Sequence, residues 1–405
     1  MGPNPISDVE RERIETIRER MGSTIPNDVD TDFNLLRWVR VYESKLGDLE
    51  REFKQYIDNR RAIGADHPDL LDRLEDNETF KRYGRYLPVS LTADRAINHL
   101  DGGSILFFQR VKGFDLNRLL KVCPMSDFLS LFFAYQEYYN RLLMKHEKET
   151  GQPCSTQLIL DLEDVNVMDY ANPLGAPLQA LICMTHIGDK WFGDLNNKMY
   201  IVNPPALISV IWQIAKRALS PRSQNLLVLI HKHQELFDHV SPNALPKCYG
   251  GDLMDHSGWG LVDTCCNMPR QITHAQYYPV GHVFSGMAEA PSLTHETIKY
   301  NKTFTVIRTV TQAGKWLAWQ YKTNNEMQFT AYFVNKDGHK ERIRPQFTLV
   351  TPKIPDEGSF ECPQVGSYHF EFTNSTCYWF PVKVEYAVVQ LDRKPPSLPP
   401  IVLQA

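Results

Sequence analysis

Apolar and polar positions change their spacing twice along the chain. Between Asp8 and Ala65 a background dense in charge carries Phe33, Leu36 and Val39, then Leu46, Leu49, Phe53 and Ile57, at three- and four-residue intervals. Residues so spaced share one helix face, so this region predicts short amphipathic helices. From about Thr79 to Leu253 strand-like and helix-length segments alternate. "SILFFQRV" (Ser104 to Val111) predicts a strand after the turn Asp101-Gly102-Gly103, and Ser126 to Glu149 predicts one long helix with Ser126 as its N-cap. "STQLILDL", "KMYIVNPP" and "NLLVLIHK" read as further strands, separated by the helical "PLQALICMTHIGDKW" and "ALISVIWQIAKRAL". Such alternation with apolar strands predicts a mostly parallel sheet covered by helices.

After a connector at 255–291 punctuated by Gly and Pro, the period becomes two. "KTFTVIRTV", "KWLAWQYK", "EMQFTAYFV", "SYHFEF" and "YWFPVKVEYAVVQL" predict strands, with turns at Ala313-Gly314, Asn324-Asn325 and Asp337-Gly338. Together they predict a β-sandwich of about a hundred residues.

The length, 405 residues, exceeds what one core sustains, since cores stop growing at roughly 250–300 residues. The chain therefore divides into a helical unit at 1–70, an α/β unit at 79–254, an all-β unit at 275–391 and a Pro-rich tail at 392–405 expected to be disordered. A net charge of -4 offers no general attraction to nucleic acid. Met1 to Asp30 carries Asp8, Glu10, Arg11, Glu12 and Arg13 with no apolar run, unlike a secretory or transit peptide, so a cytoplasmic location is expected. Eight cysteines without a C-x-x-C pair read as reduced thiols, with no zinc site. In that compartment the N-x-S/T matches at Asn77, Asn301 and Asn374 carry no expectation of glycosylation.

Four acids, Asp161, Glu163, Asp164 and Asp169, follow the apolar run Leu158 to Leu160. A hydrolase built on them would need a nucleophile or a metal set, yet no G-x-S-x-G, H-E-x-x-H, Walker or G-x-G-x-x-G motif is present. His231 and His233 have no third ligand at a usual spacing. The acids are expected to be the solvated end of a strand, and no catalytic residue, metal or cofactor is expected.

Ile201 to Ala215 holds no charged residue, but at ~1.5 Å per helical residue it cannot span a bilayer core of roughly 30 Å. From Ala206 onward it reads as a helix apolar nearly all round and closed by Lys216 and Arg217. It is either a buried core helix or a lid with a basic collar. A lid has a physical use, because a lipid with two sixteen-carbon tails hides about thirty methylenes at ~0.8 kcal/mol each, on the order of 24 kcal/mol. Phe128, Phe132, Phe133, Tyr135, Tyr138, Tyr139 and Leu142 of the long helix either line such a hollow or pack on the sheet.

Several runs taken in order resemble one family. Leu36-Arg37-Trp38-Val39-Arg40, "TQLILDLEDVNV", "MYIVNPPALISVIWQIAKRALSP" and "VSPNALPKCYGGDL" are similar to a CRAL-TRIO lipid-binding protein. Gly314 to Phe333, with Trp319 and Glu326-Met327-Gln328-Phe329, is similar to a GOLD (Golgi dynamics) domain. The order looks like the supernatant protein factor and tocopherol-associated protein branch of the phosphatidylinositol and phosphatidylcholine exchange family. The resemblance implies a multidomain chain: a small α-helical N-terminal unit, an α/β CRAL-TRIO lipid-binding domain and a C-terminal all-β GOLD sandwich. It also implies that the acids closing the central strand are structural.

Carried over by resemblance, the lipid-binding residues are Phe132, Tyr135, Tyr139, Thr156, Leu158, Asp194, Leu207, Ile208, Ile211, Trp212, Ala215 and Leu226. Lys216, Arg217 and Arg222 would meet the membrane surface. Phosphatidylinositol binders of the family hold the phosphate with a lysine where this chain has Leu226, and Leu158 replaces one hydroxyl of a pair of which Thr156 remains. These departures weaken the recognition of inositol lipids and of phosphatidylcholine, so the expected cargo is a phospholipid or a tocopherol-like or isoprenoid molecule. The expected function is a cytosolic carrier that exchanges one lipid at membranes, with a possible protein partner for the sandwich and no nucleic acid. The alternative is a trafficking or signalling adaptor acting through the GOLD domain with a vestigial or sensing pocket.

Overall fold

The computed structural model describes residues 6–43, 45–70, 74–90, 96–172, 174–206, 208, 212–213, 224–254, 265–267 and 269–398. The N-terminal unit holds α1 (Asp8–Met21), α2 (Asp32–Tyr42) and α3 (Leu46–Ala62). Ser7 and Glu10 form a reciprocal capping box at α1, and Thr31 caps α2. Trp38 packs edge-on against Phe53 at 4.8 Å, so the predicted apolar faces do meet. α4 (Glu78–Tyr83) begins at Asn77, whose Oδ1 accepts from the backbone N–H groups of Thr79 and Phe80.

Next come β1 (Ile97–Asn98), β2 (Ser104–Arg110), α5 (Leu116–Leu119), α6 (Met125–Thr150), β3 (Thr156–Asp161), α7 (Met168–Ala171), α8 (Ala176–Trp191), β4 (Asn196–Val202) and β5 (Leu227–Ile230). The five strands lie in sequence order, β1 antiparallel and the rest parallel, as the alternation predicted. Period-two alternation sorts the side chains between two faces. Leu106, Phe108 and Ile159 join one core cluster with Tyr200 and Val202, while Phe107 faces α6, its ring centroid 3.6 Å from that of Tyr139. Ser126 does not cap α6. Its N–H and hydroxyl both donate to Asp356, at 2.9 Å each, from a strand 230 residues away.

The C-terminal unit is two four-stranded antiparallel sheets. Its strands are β6 (Thr294–Ile298), β7 (Lys302–Val310), β8 (Lys315–Thr323), β9 (Met327–Val334), β10 (Lys340–Leu349), β11 (Asp356–Cys362), β12 (Gly366–Asn374) and β13 (Val382–Leu391). The sheet orders are β10-β9-β12-β7 and β11-β8-β13-β6, around a fully buried Trp319. β6, β10 and β11 escaped the pattern because charge interrupts it, and β10 also breaks register on both sides of Arg344, next to Pro345.

The sandwich packs on the rest of the chain instead of hanging from a linker. Phe347 of β10 meets Phe133 of α6 and Trp191 of α8 at 5.9 and 6.1 Å, and buried Asn59 of α3 accepts from the Gln346 N–H and Arg342. Burial in this interface pushes the Asp127 carboxyl up to about 6, with Arg344 at 3.9 Å opposing the effect. The folded chain then holds this proton more tightly than the unfolded chain, so stability falls as pH rises from 3.8 through about 6. Asp127→Asn is expected to flatten that part of the stability profile. Thermal unfolding between pH 4 and 7 checks it, and a parallel shift of parent and variant would refute it.

Residues 392–398 of the Pro-rich tail are among the described residues. There Lys315 pairs with Asp392 at 2.8 Å, His282 Nε2 lies 3.1 Å from the Pro396 and Ser397 carbonyls, and Pro395 is buried. Residues 399–405 lie outside the described residues.

Candidate functional site

Between the sheet and its helices lies a cavity whose free space, counted out to its open mouth, is about 1280 Å³. Gln109 of β2, Leu160 of β3 and Ile201 of β4 line the sheet side. One helical wall is Phe128, Phe132, Tyr135, Gln136 and Tyr139 of α6, a single face at helical spacing. Leu181 and Met184 of α8 form a second, and Leu87, Val89, Phe114, Leu162, Val165, Val167, Tyr170 and Ile208 complete the lining with others. No Asp, Glu, Lys, Arg or His lines it among the described residues.

In this wall the Tyr139 hydroxyl and Gln136 Oε1 are buried and have no hydrogen-bond partner among the described residues. Burial raises the Tyr139 phenol well above its usual range, so it stays neutral and able to donate. An unpaired buried polar group costs roughly 1–3 kcal/mol. A bound molecule with one donor and one acceptor would relieve both.

Of the residues expected to bind lipid, Phe132, Tyr135, Tyr139 and Ile208 line this cavity. Thr156 does not: its hydroxyl is fully buried and contacts the Leu195 carbonyl at 3.1 Å and Asn196 Oδ1 at 2.5 Å, where β3 meets β4. Leu158 packs into the main core. Asp194 lines a separate small hollow with Arg37, Trp38 and Lys190, against the N-terminal unit. Leu226 precedes β5, its carbonyl accepting from the Met199 N–H at 2.8 Å, and is absent from the cavity lining. Trp212 is half-buried and also outside the lining. Leu207, Ile211, Ala215, Lys216, Arg217 and Arg222 fall outside the described residues. Leu160, Leu162, Leu181 and Met184 were missed, although Leu160 shares a strand face with Leu158 and Leu181 and Met184 stand three apart on one helix.

The acids sit just beyond Leu160, and Asp161 is not solvated. It is 2% exposed and accepts from the Tyr249 hydroxyl at 2.7 Å, Asn203 Nδ2 at 2.8 Å and the Glu163 N–H at 3.0 Å. Tyr249 reaches it from the Tyr249-Gly250-Gly251 turn, where Gly250 has φ +92° and a Cβ on Gly251 would lie 2.0 Å from the Leu245 carbonyl oxygen. Side-chain hydrogen bonds from Arg110 and Lys112 hold the Glu163 carboxyl below its ordinary range. With both oxygens bonded, Asp161 ties the strand end to the turn. Among the described residues no group of three His, Cys, Asp or Glu side chains could hold a metal ion, and no helix is long and apolar enough to cross a membrane.

Residues 102–251 match the CRAL/TRIO domain. A CRAL-TRIO domain-containing protein of Caenorhabditis elegans is 28% identical over 95% of this chain and 96% of its own length. The SEC14 cytosolic factor of Kluyveromyces lactis is 21% identical over 62% of this chain and 80% of its own. Among solved structures, that of Sfh5 covers 68% of this chain and 95% of its own at 13% identity and a TM-score of 0.39. The parallel sheet, its cavity and the strand-end lock around Asp161 all lie largely within the segment that matches the CRAL/TRIO domain, and that segment is set between a helical unit and an all-β unit.

Proposed function

We propose that this protein is a lipid carrier, not an enzyme, that encloses one hydrophobic molecule in the cavity between α6, α8 and the sheet. The observation that carries the reading is a pocket-sized cavity whose described lining holds no charged residue. A phosphate inside it would sit without a cation in a dry site, so the favoured cargo is neutral, tocopherol-like or isoprenoid. A phospholipid fits if its headgroup stays at the mouth. Ile208 lies in the lining, which supports reading Leu207, Ile211, Trp212 and Ala215 as a gate helix. Lys216, Arg217 and Arg222 would then touch anionic headgroups, each adding about 1 kcal/mol, enough for transient docking from the cytoplasm. The sandwich is read as a GOLD-type module of the supernatant protein factor and tocopherol-associated protein branch.

Native mass spectrometry of the purified protein, with organic extraction, tests the reading. One neutral lipid per chain is the expected result. A protein that is empty and also refuses fluorescent lipids from vesicles would overturn it in favour of an adaptor acting through the sandwich. Joint Ile211→Asp and Trp212→Asp replacement is expected to lower vesicle-to-vesicle transfer at least tenfold while leaving the circular dichroism spectrum unchanged. Full transfer by that variant would remove the gate assignment.

A further inference from the structure

The sandwich carries an aromatic tip that its core does not use. Between β12 and β13, Tyr378, Trp379 and Phe380 are 65%, 82% and 72% exposed. The Tyr300 ring, from the turn between β6 and β7, lies 5.1 Å from that of Tyr378, and Trp379 stands edge-on to Tyr378 at the same distance. Scattered exposed apolar residues are ordinary, but contiguous large aromatics on a protein surface mark an interaction site.

The tip stands on a rigid base. Asn374 is fully buried, its Nδ2 donates to the Ile298 and Cys377 carbonyls, its Oδ1 accepts from the Cys377 N–H, and its carbonyl accepts from the Asn301 N–H at 2.7 Å. One side chain thus pins both turns. The aromatic rings are held outward before any partner arrives, which lowers the ordering cost of inserting them.

Charge around the tip identifies the partner. Lys299 and Lys302 flank Tyr300, Lys383 follows Phe380, and all three are exposed. None of them has an ion pair among the described residues, while the nearby carboxylate Glu326 faces His186 at 3.1 Å. Trp and Tyr favour the boundary between headgroups and acyl chains, and lysines beside them favour an anionic leaflet. We infer that Tyr378, Trp379 and Phe380 form a membrane wedge, with Lys299, Lys302 and Lys383 as its collar, that docks the sandwich on an anionic lipid surface. The wedge lies outside the CRAL/TRIO domain and does not depend on what the cavity holds.

The test uses the full chain and vesicles of phosphatidylcholine with about 30% phosphatidylserine, some made with brominated acyl chains. Wild-type protein is expected to co-sediment with these vesicles and to show tryptophan quenching by the brominated lipid, a signal clearly reduced in Trp379→Phe although six other tryptophans remain. Joint Trp379→Ala and Phe380→Ala replacement is expected to weaken binding at least tenfold, and each lysine changed to glutamine about fivefold. Absence of vesicle binding by the wild type, or binding and quenching unaltered in the Trp379 variants, would overturn the wedge and leave the tip to a protein partner. Extraction of bound lipid from the Trp379→Ala/Phe380→Ala variant separates the two readings: a loaded protein that no longer docks supports the wedge, and loss of cargo with docking intact contradicts it.

Discussion

Replacing Glu137 by alanine is expected to cost about 3–5 kcal/mol of stability, the usual penalty for removing one partner of a buried charge network. Glu137 is fully buried on α6 and takes a 2.6 Å hydrogen bond from the Tyr56 hydroxyl, with Arg60 Nε at 2.9 Å and Arg141 Nε at 3.4 Å. Arg60 is 1% exposed and Arg141 is buried. Without the carboxylate, Asp28 is the one ion-pair partner left to Arg60 among the described residues, at 2.5 Å, and Arg141 shares it at 3.4 Å. Arg141 keeps the Ala65 and His67 carbonyls, at 2.8 and 2.6 Å. Two buried cations would share too little negative charge. Glu137→Gln preserves an acceptor for Tyr56 and is expected to cost roughly half as much. Urea unfolding of both variants checks the ranking, and a loss below about 1 kcal/mol for Glu137→Ala would show that the network is not a clamp. The network matters because α3 and α6 belong to different sequence units, and α6 supplies the cavity wall from its adjoining face.

Filling the cavity from its sheet side should separate cargo binding from folding. Leu160→Trp places an indole into existing free space, so the overpacking penalty of ~1–3 kcal/mol expected in a dense core should be small here. Bound lipid should fall at least tenfold while the unfolding midpoint of the empty protein holds or rises. Tyr139→Phe supplies the complementary sign. Deleting a buried hydroxyl that lacks a partner should stabilise the empty protein by ~1–3 kcal/mol and weaken an oxygen-bearing cargo, with little effect on a pure hydrocarbon such as squalene. Thermal unfolding of empty and loaded protein reads both effects. A Leu160→Trp protein that retains full lipid stoichiometry would place the cargo elsewhere.

Much of the architecture was legible because its causes are local. The three- and four-residue spacing of Leu49, Phe53 and Ile57, and the unbroken apolar runs of β2 and β3, reflect backbone periods that operate over a few residues. The same logic put Phe128, Phe132, Tyr135 and Tyr139, which line the cavity, on one helix face, while Ile208 came from the resemblance. It failed where a distant group took over a local role. Ser126 had the sequence of an N-cap, but Asp356 of the sandwich claims both its hydroxyl and its N–H. Thr156 offered a hydroxyl that the Leu195 and Asn196 oxygens already hold. Asp161 looked like a solvated strand end until Tyr249 and Asn203 arrived from later segments to enclose it.

The sequence by itself determined most of the helices and strands and a mostly parallel central sheet, and it holds none of the common catalytic or metal motifs beside the acids. Only the tertiary structure decided that a hollow remains between α6, α8 and the sheet, which polar atoms in it lack partners, and that the sandwich is locked onto the helices through Phe347 and Asn59. The physical reason is that periodicity assigns a side chain to a face, whereas a cavity is the space left when two faces stop short of contact. That separation is fixed by contacts between residues hundreds of positions apart, such as Asn59 with Gln346, which no local pattern encodes.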